Sequence, residues 1–180
     1  CADNQFVALL QRMQEEAVDL MLMPHAWPTP YRADGRVTEQ DMQEQRAKTE
    51  QLLLLYANCL GAPAVFVNLV GAMGAMTGLL GKFMTPATFR LEGRSRIADS
   101  DGTIKAAMEA EEGIIVADVT LDPARKRRTV PASYDGWLLP GAAVSRKVIV
   151  PLDVSLGRIY YTLSALRRRK AQEIYRSQAL

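Results

Sequence analysis

Two short apolar runs, Val18 to Met23 and Ala64 to Asn68, flank one long helical pattern, and that spacing restricts the fold more than any other feature of the chain. Each run is too short for a buried helix and is closed by a breaker, which is how a strand covered on both faces is written. Between them, Thr38 with Asp41 three residues later predicts a capping box. The helix it opens runs to about Leu60 through Leu52, Leu53, Leu55 and Tyr56, and Gly61 ends it. Ahead of the first run, Phe6, Leu9, Leu10, Met13 and Ala17 recur at helical spacing opposite Gln11, Arg12, Gln14, Glu15 and Glu16. Helix, strand, helix, strand in this order implies a parallel pair joined by a right-handed crossover, with helices covering the sheet.

Downstream the grammar changes. Ser95 to Ala98 and Thr103 to Met108 are separated by Asp99-Ser100-Asp101-Gly102, a strong hairpin signal, and Ile114 to Val119 reads as a further strand of an antiparallel meander. His25 to Val37, with Pro28 and Pro30, reads as a loop. A helix is expected near Leu156 to Ser177. Residues 1–124 are therefore taken as one globular portion and 125–180 as a C-terminal helical extension.

With 48% hydrophobic and 23% charged residues, the 180-residue chain can bury a core and is not compositionally disordered. Cys1 and Cys59 make no disulfide framework, which points to a reducing, cytoplasmic compartment. The net charge of +2 conceals a division: residues 1–124 hold 10 Lys/Arg against 17 Asp/Glu, whereas 125–180 hold 12 against 3. No charge occurs from Gln51 to Gly81, yet Asn58, Pro63, Asn68 and repeated glycines break any membrane span there.

The chemistry-bearing candidate is Cys1, a thiol ahead of Ala-Asp-Asn-Gln-Phe and an amphipathic helix, as on a strand-to-helix turn. Its place at the first position implies either that processing bares it or that these residues are the second part of a longer protein. Several segments together resemble the nitrilase, or carbon-nitrogen hydrolase, superfamily from its nucleophile onward. They are Cys1-Ala2-Asp3 with Phe6; Asp19 and then Met23-Pro24-His25-Ala26-Trp27; Tyr56-Ala57 with Leu60-Gly61-Ala62-Pro63 leading to Val67-Asn68-Leu69-Val70-Gly71; Phe89, Gly93, Ser95 and Ile97; Asp101-Gly102; and Glu112-Gly113 before Ala117-Asp118. The match spans roughly residues 1–123. Departures are Ala2, where an aromatic is commoner, and Val7-Ala8 in place of a Pro-Glu pair.

The resemblance implies an α/β fold, the C-terminal portion of an α-β-β-α sandwich with a mixed sheet and helices outside. It also implies a Glu-Lys-Cys set that cleaves a nonpeptide carbon-nitrogen bond in a nitrile, amide or N-carbamoyl group, without metal or organic cofactor. Here only Cys1 is present, with the backbone N–H of Ala2 as an oxyanion donor. The glutamate and lysine are expected on an N-terminal portion. A nitrilase or amidase of this kind works through a covalent thioester and is expected as a homo-oligomer.

Other residues carry competing readings. His25, the one histidine, lines the pocket mouth, with substrate contact and proton transfer as alternatives. Trp27 either walls the substrate site or packs, and Asn68 either orients a loop or touches substrate. Cys59 reads as core filling; Met73, Met76, Phe83 and Met84 read as a lid or as core. Arg125-Lys126-Arg127-Arg128 and Arg167-Arg168-Arg169-Lys170 favour a subunit contact over nucleic acid, because stacking aromatics are sparse, and no membrane is expected. Two other classes remain open: an N-terminal-nucleophile hydrolase using its own α-amine as base, and a non-catalytic scaffold subunit of the same fold.

Overall fold

Helix α2 (Glu39–Leu60) organises the molecule, and its ends are written in the sequence as expected. The Thr38 hydroxyl accepts from the Asp41 N–H at 3.1 Å and the Asp41 carboxylate accepts from the Thr38 N–H at 2.9 Å. At the other end Gly61 adopts φ +61° and donates to Ala57 O, closing the last turn. A side chain there would run into the Arg125 carbonyl, because residues 125–127 return alongside and the Arg127 N–H donates to Leu60 O at 2.8 Å. The structure, a computed structural model, describes residues 2–33, 37–76, 78–141 and 145–178. They divide into two compact units, one from Cys1–Gly74 and Thr85–Pro140, the other from Ala75–Met84 and Gly141–Leu180.

In the first unit, α1 (Val7–Glu15) and α2 cover one face of a four-stranded sheet ordered β1-β3-β6-β7. β1 (Met21–His25) and β3 (Ala64–Asn68) pair in parallel with Met21 opposite Ala64 and His25 opposite Asn68, the crossover inferred from the two apolar runs. β6 (Arg96–Ala98) joins β3 antiparallel and turns through 99–102 into β7 (Ile104–Ala107). Leu10, Met23, Leu52, Leu53, Tyr56 and Phe66 fill the space between helices and sheet. Burial alternates along β1 and β3, so Leu22 (61% exposed) and Val67 (53% exposed) face solvent on the side opposite the helices, whereas Ile97 of β6 on that same side is buried. An antiparallel ribbon ordered β2-β5-β4 is made by β2 (Pro28–Pro30), β4 (Val70–Ala72) and β5 (Phe89–Glu92).

Three boundaries differ from the sequence reading, each for a physical reason. β1 continues through Pro24 to His25, because bonds from Met21 N and to His25 O face β3 and the alternation turns the nitrogen of Pro24 outward, where no donor is needed. Pro28–Pro30, read as loop, is an edge strand of the ribbon. Ile114 to Val119 forms no strand: it is irregular, and Ile114 and Val116 lie 88% and 86% exposed.

In the second unit α3 (Gly78–Phe83), a π-helical turn (Ser145–Ile149), α4 (Val150–Leu163) and α5 (Ala165–Gln178) follow in order. The one helix expected over 156–177 is two, broken at Ser164 with φ −90° and ψ 95°. Among the described residues no helix is long and apolar enough to cross a membrane.

The 99–102 turn is anchored by Asp99, 2% exposed. Its Oδ1 accepts from Ser100 N at 2.7 Å and Thr120 N at 2.8 Å, its Oδ2 from Thr120 Oγ1 at 3.2 Å, and Lys105 Nζ lies 3.4 Å away. Burial pushes this carboxyl upward, but the donated hydrogen bonds outweigh it and hold its pKa at about 2. A depressed folded-state value means that the stabilisation is present above the ordinary value of 3.8 and drains away as pH falls towards 2. Urea midpoints measured down this acid range should fall steeply in the native chain and less steeply in Asp99→Asn.

Candidate active site

The segment 2–6 is fixed from behind by a stretch that no motif identified. A 3-10 turn (Ala2–Gln5) precedes α1, with the Phe6 N–H donating to Asp3 O at 3.0 Å. The Val7 N–H donates to Gly136 O at 2.9 Å and the Leu138 N–H to Gln5 O at 2.8 Å. The Phe6 and Trp137 rings lie 4.6 Å apart, and Leu138 is buried in the core. Residues 134–138 thus staple the turn from which Cys1 leads. Sequence reasoning missed them, although an aromatic-leucine pair between Gly136 and Pro140 is an apolar signal in an otherwise polar stretch. Cys1 itself lies outside the described residues; Ala2 is exposed at the start of the turn.

From the front, the turn meets the carboxyl ends of the two parallel strands, where open α/β sheets place their ligands. Buried Asn4 donates from Nδ2 to Nε2 of His25, the last residue of β1, at 3.0 Å. An amide nitrogen only donates, so Nε2 is the acceptor and the ring proton belongs on Nδ1. Nδ1 is buried without a hydrogen-bond partner. The ring lies 4.5 Å from that of Phe66 and 5.7 Å from that of Trp27. Burial lowers the His25 pKa to about 4, which keeps the imidazole neutral at physiological pH.

Asn68 lies opposite His25 at the end of β3. Its Oδ1 accepts from the Trp27 N–H at 2.7 Å, its Nδ2 donates to Trp27 O at 3.2 Å, and its own N–H donates to Ser95 Oγ at 3.1 Å. Both amide atoms are therefore spent on the β1–β2 connection. Trp27 is buried within the core cluster. Asn4, His25, Trp27 and Asn68 form one connected group.

Cys59 is buried on α2, and burial raises its thiol pKa, as suits an inert core residue. Met73 is buried, whereas Met76 and Phe83 are exposed in the second unit. Arg125 reaches Asp122 and Ser100, and Lys126 reaches Asp19 at 2.6 Å, so this half of the basic run is used within the unit.

A carboxylate cluster also escaped the sequence reading. Glu92, 1% exposed, receives Arg46 in a two-pronged pair at 2.8 and 3.0 Å and Arg90 at 3.1 Å, with Arg94 3.7 Å away. Burial works to raise its pKa, but Arg46 and then Arg90 overcome this and hold it low. A carboxylate pinned ionised by guanidinium groups is a poor proton acceptor, so Glu92 does not supply a catalytic base. The pairing was invisible in sequence because Arg46 is 46 residues away and joins only when α2 packs on the ribbon.

No protein-family model and no curated protein sequence matches the chain. A solved structure does: the carbon-nitrogen hydrolase from Helicobacter pylori G27, with a TM-score of 0.54 and 17% sequence identity. The likeness covers 67% of this chain and 38% of that one. At this identity the shared property is the fold, a mixed α/β arrangement with helices outside the sheets.

Proposed function

We propose that the chain is the nucleophile-bearing portion of a thiol-dependent carbon-nitrogen hydrolase of the nitrilase or amidase type. The observation that carries this reading is the turn after Cys1, held by Asn4 to His25 in front and by Gly136 and Leu138 behind, in a fold shared with a carbon-nitrogen hydrolase. Such clamping is what a nucleophile needs, since catalytic geometry must hold within a fraction of an ångström.

In the proposed reaction the Cys1 thiolate attacks the carbonyl carbon of an amide or N-carbamoyl group, or the carbon of a nitrile. An amide gives an oxyanion, which the Ala2 N–H and a cation from the N-terminal portion would stabilise. Its collapse expels ammonia, protonated by the partner carboxylic acid, and leaves a thioester. Water, deprotonated by the same carboxylate, then releases the carboxylic acid and restores the thiol. For a nitrile, attack gives a thioimidate, and one further water converts it to the thioester with loss of ammonia.

The N-terminal portion has a surface to occupy. The exposed part of the sheet face at Leu22 and Val67 and the exposed strip at Ile114 and Val116 are apolar and suit a second sheet packed face to face. The rival reading as an N-terminal-nucleophile hydrolase fits less well, because residues 2–5 and 7–15 are helical and that class starts on an extended strand.

The test is ammonia release from a panel of amides, N-carbamoyl amines and nitriles. The chain alone should release none, and the same chain joined to a portion bearing the acid and the cation should turn over. Cys1→Ala should abolish that turnover. Activity of the isolated chain, or turnover surviving Cys1→Ala, would refute the proposal; a joined protein inert on the whole panel would favour the scaffold reading.

A further inference from the structure

The second unit combines two properties that are seldom exposed together. Helix α4 carries Leu152, Leu156, Ile159 and Leu163 at spacings of four, three and four, which places them along one side, and all four are exposed. Beyond the break Leu166 is exposed as well; Leu163 and Leu166 are 78% and 79% exposed. One cation of α5 reaches α4, the Arg167 guanidinium lying 5.7 Å from the centre of the Tyr160 ring. Across the unit nine Lys or Arg face two Asp or Glu, a net charge of +7.

Charge argues against packing this unit on a second copy of itself. A second copy of this unit would bring +7 against +7 as its apolar stripes met. A nucleic acid would neutralise the arginines and leave the leucines in water. An anionic bilayer satisfies both, taking the leucines into the acyl boundary and the guanidinium groups at the phosphates, with Tyr160 and Tyr161 suited to the interfacial zone. At 14 residues α4 is shorter than the roughly 20 needed to span, so the helix would lie in the surface plane.

We propose that α4 and α5 form a peripheral docking element for anionic phospholipid bilayers, in place of the subunit contact that sequence alone favoured for this basic arm. This inference does not depend on the hydrolase reading, since it concerns a different unit of the chain.

The experiment sediments the full chain with phosphatidylcholine vesicles, with and without phosphatidylglycerol. The chain should pellet with the anionic vesicles, stay in solution with the zwitterionic ones, and release as salt rises. The paired variants Leu163→Ser with Leu166→Ser, and Arg168→Gln with Arg169→Gln, should each weaken partition by roughly tenfold or more while the far-UV spectrum is unchanged. Failure to pellet with anionic vesicles overturns the proposal. So does binding that survives the leucine pair, which marks a purely ionic contact of the kind nucleic acids also make, or a contact through the bare sheet face of the first unit. Lipid-free association that the leucine pair abolishes would also overturn it, naming a second copy as the occupant.

Discussion

Glu92→Gln should destabilise the chain by about 3 kcal/mol, the lower end of what is lost when one partner of a buried ion pair is removed. The lower end applies because the guanidinium side chains remain 24 to 45% exposed and regain some hydration. The carboxylate is the shared counter-ion of Arg46 on α2, Arg90 on β5 and Arg94 just beyond it, so its loss leaves like charges facing one another and uncouples α2 from the ribbon. Chemical denaturation should show a lower midpoint, with the largest loss of protection from hydrogen exchange along β4 and β5. A variant as stable as the native chain would show that the guanidinium groups find other partners. Acidification should act in the same direction: the pKa is held low, so the stabilisation is present above the ordinary carboxylate value and is lost as pH falls through the folded one.

Asn68→Ala should cost a similar amount, also about 3 kcal/mol, by a different route. It strands the N–H and the C=O of Trp27, and each buried backbone group without a partner costs on the order of 1 to 3 kcal/mol. The β1–β2 connection should loosen and Trp27 should meet water. Its fluorescence should shift to the red relative to a Trp137→Phe background, which removes the other tryptophan. If the ribbon is joined to the sheet through other contacts strong enough to hold Trp27 in place, the emission will not move.

The parts of the fold legible in sequence were those fixed by local chemistry. Thr38 and Asp41 make each other's bonds within one turn, Gly61 answers a left-handed requirement at its own position, and the two apolar runs do pair as parallel strands, although their alternating burial shows helices on one face and not the cover on both faces that the runs suggested. Long-range partners were what sequence withheld. Nothing near Glu92 announces Arg46, and nothing in Trp137-Leu138 announces the turn it secures, because the chain brings those pairs together only after the helices have packed. Ile114 to Val119 has strand composition but no paired neighbour, a reminder that β-propensity describes fitness for a pleated surface and does not supply one. His25 could be read from sequence as lining the pocket mouth, but its contacts with Phe66 and Asn4 join distant segments and were not legible there.

The proline in β1 bears on how the molecule meets its surroundings. Among the described residues β1 is the outermost strand of its sheet, and Pro24 removes a donor from the rim that looks away from β3. A rim with that gap is a poor template for recruiting another strand, so side-by-side growth into fibrils is discouraged on this flank. The same gap leaves the side chains of Leu22 and Val67, and not the strand rim, as the adhesive part of this flank.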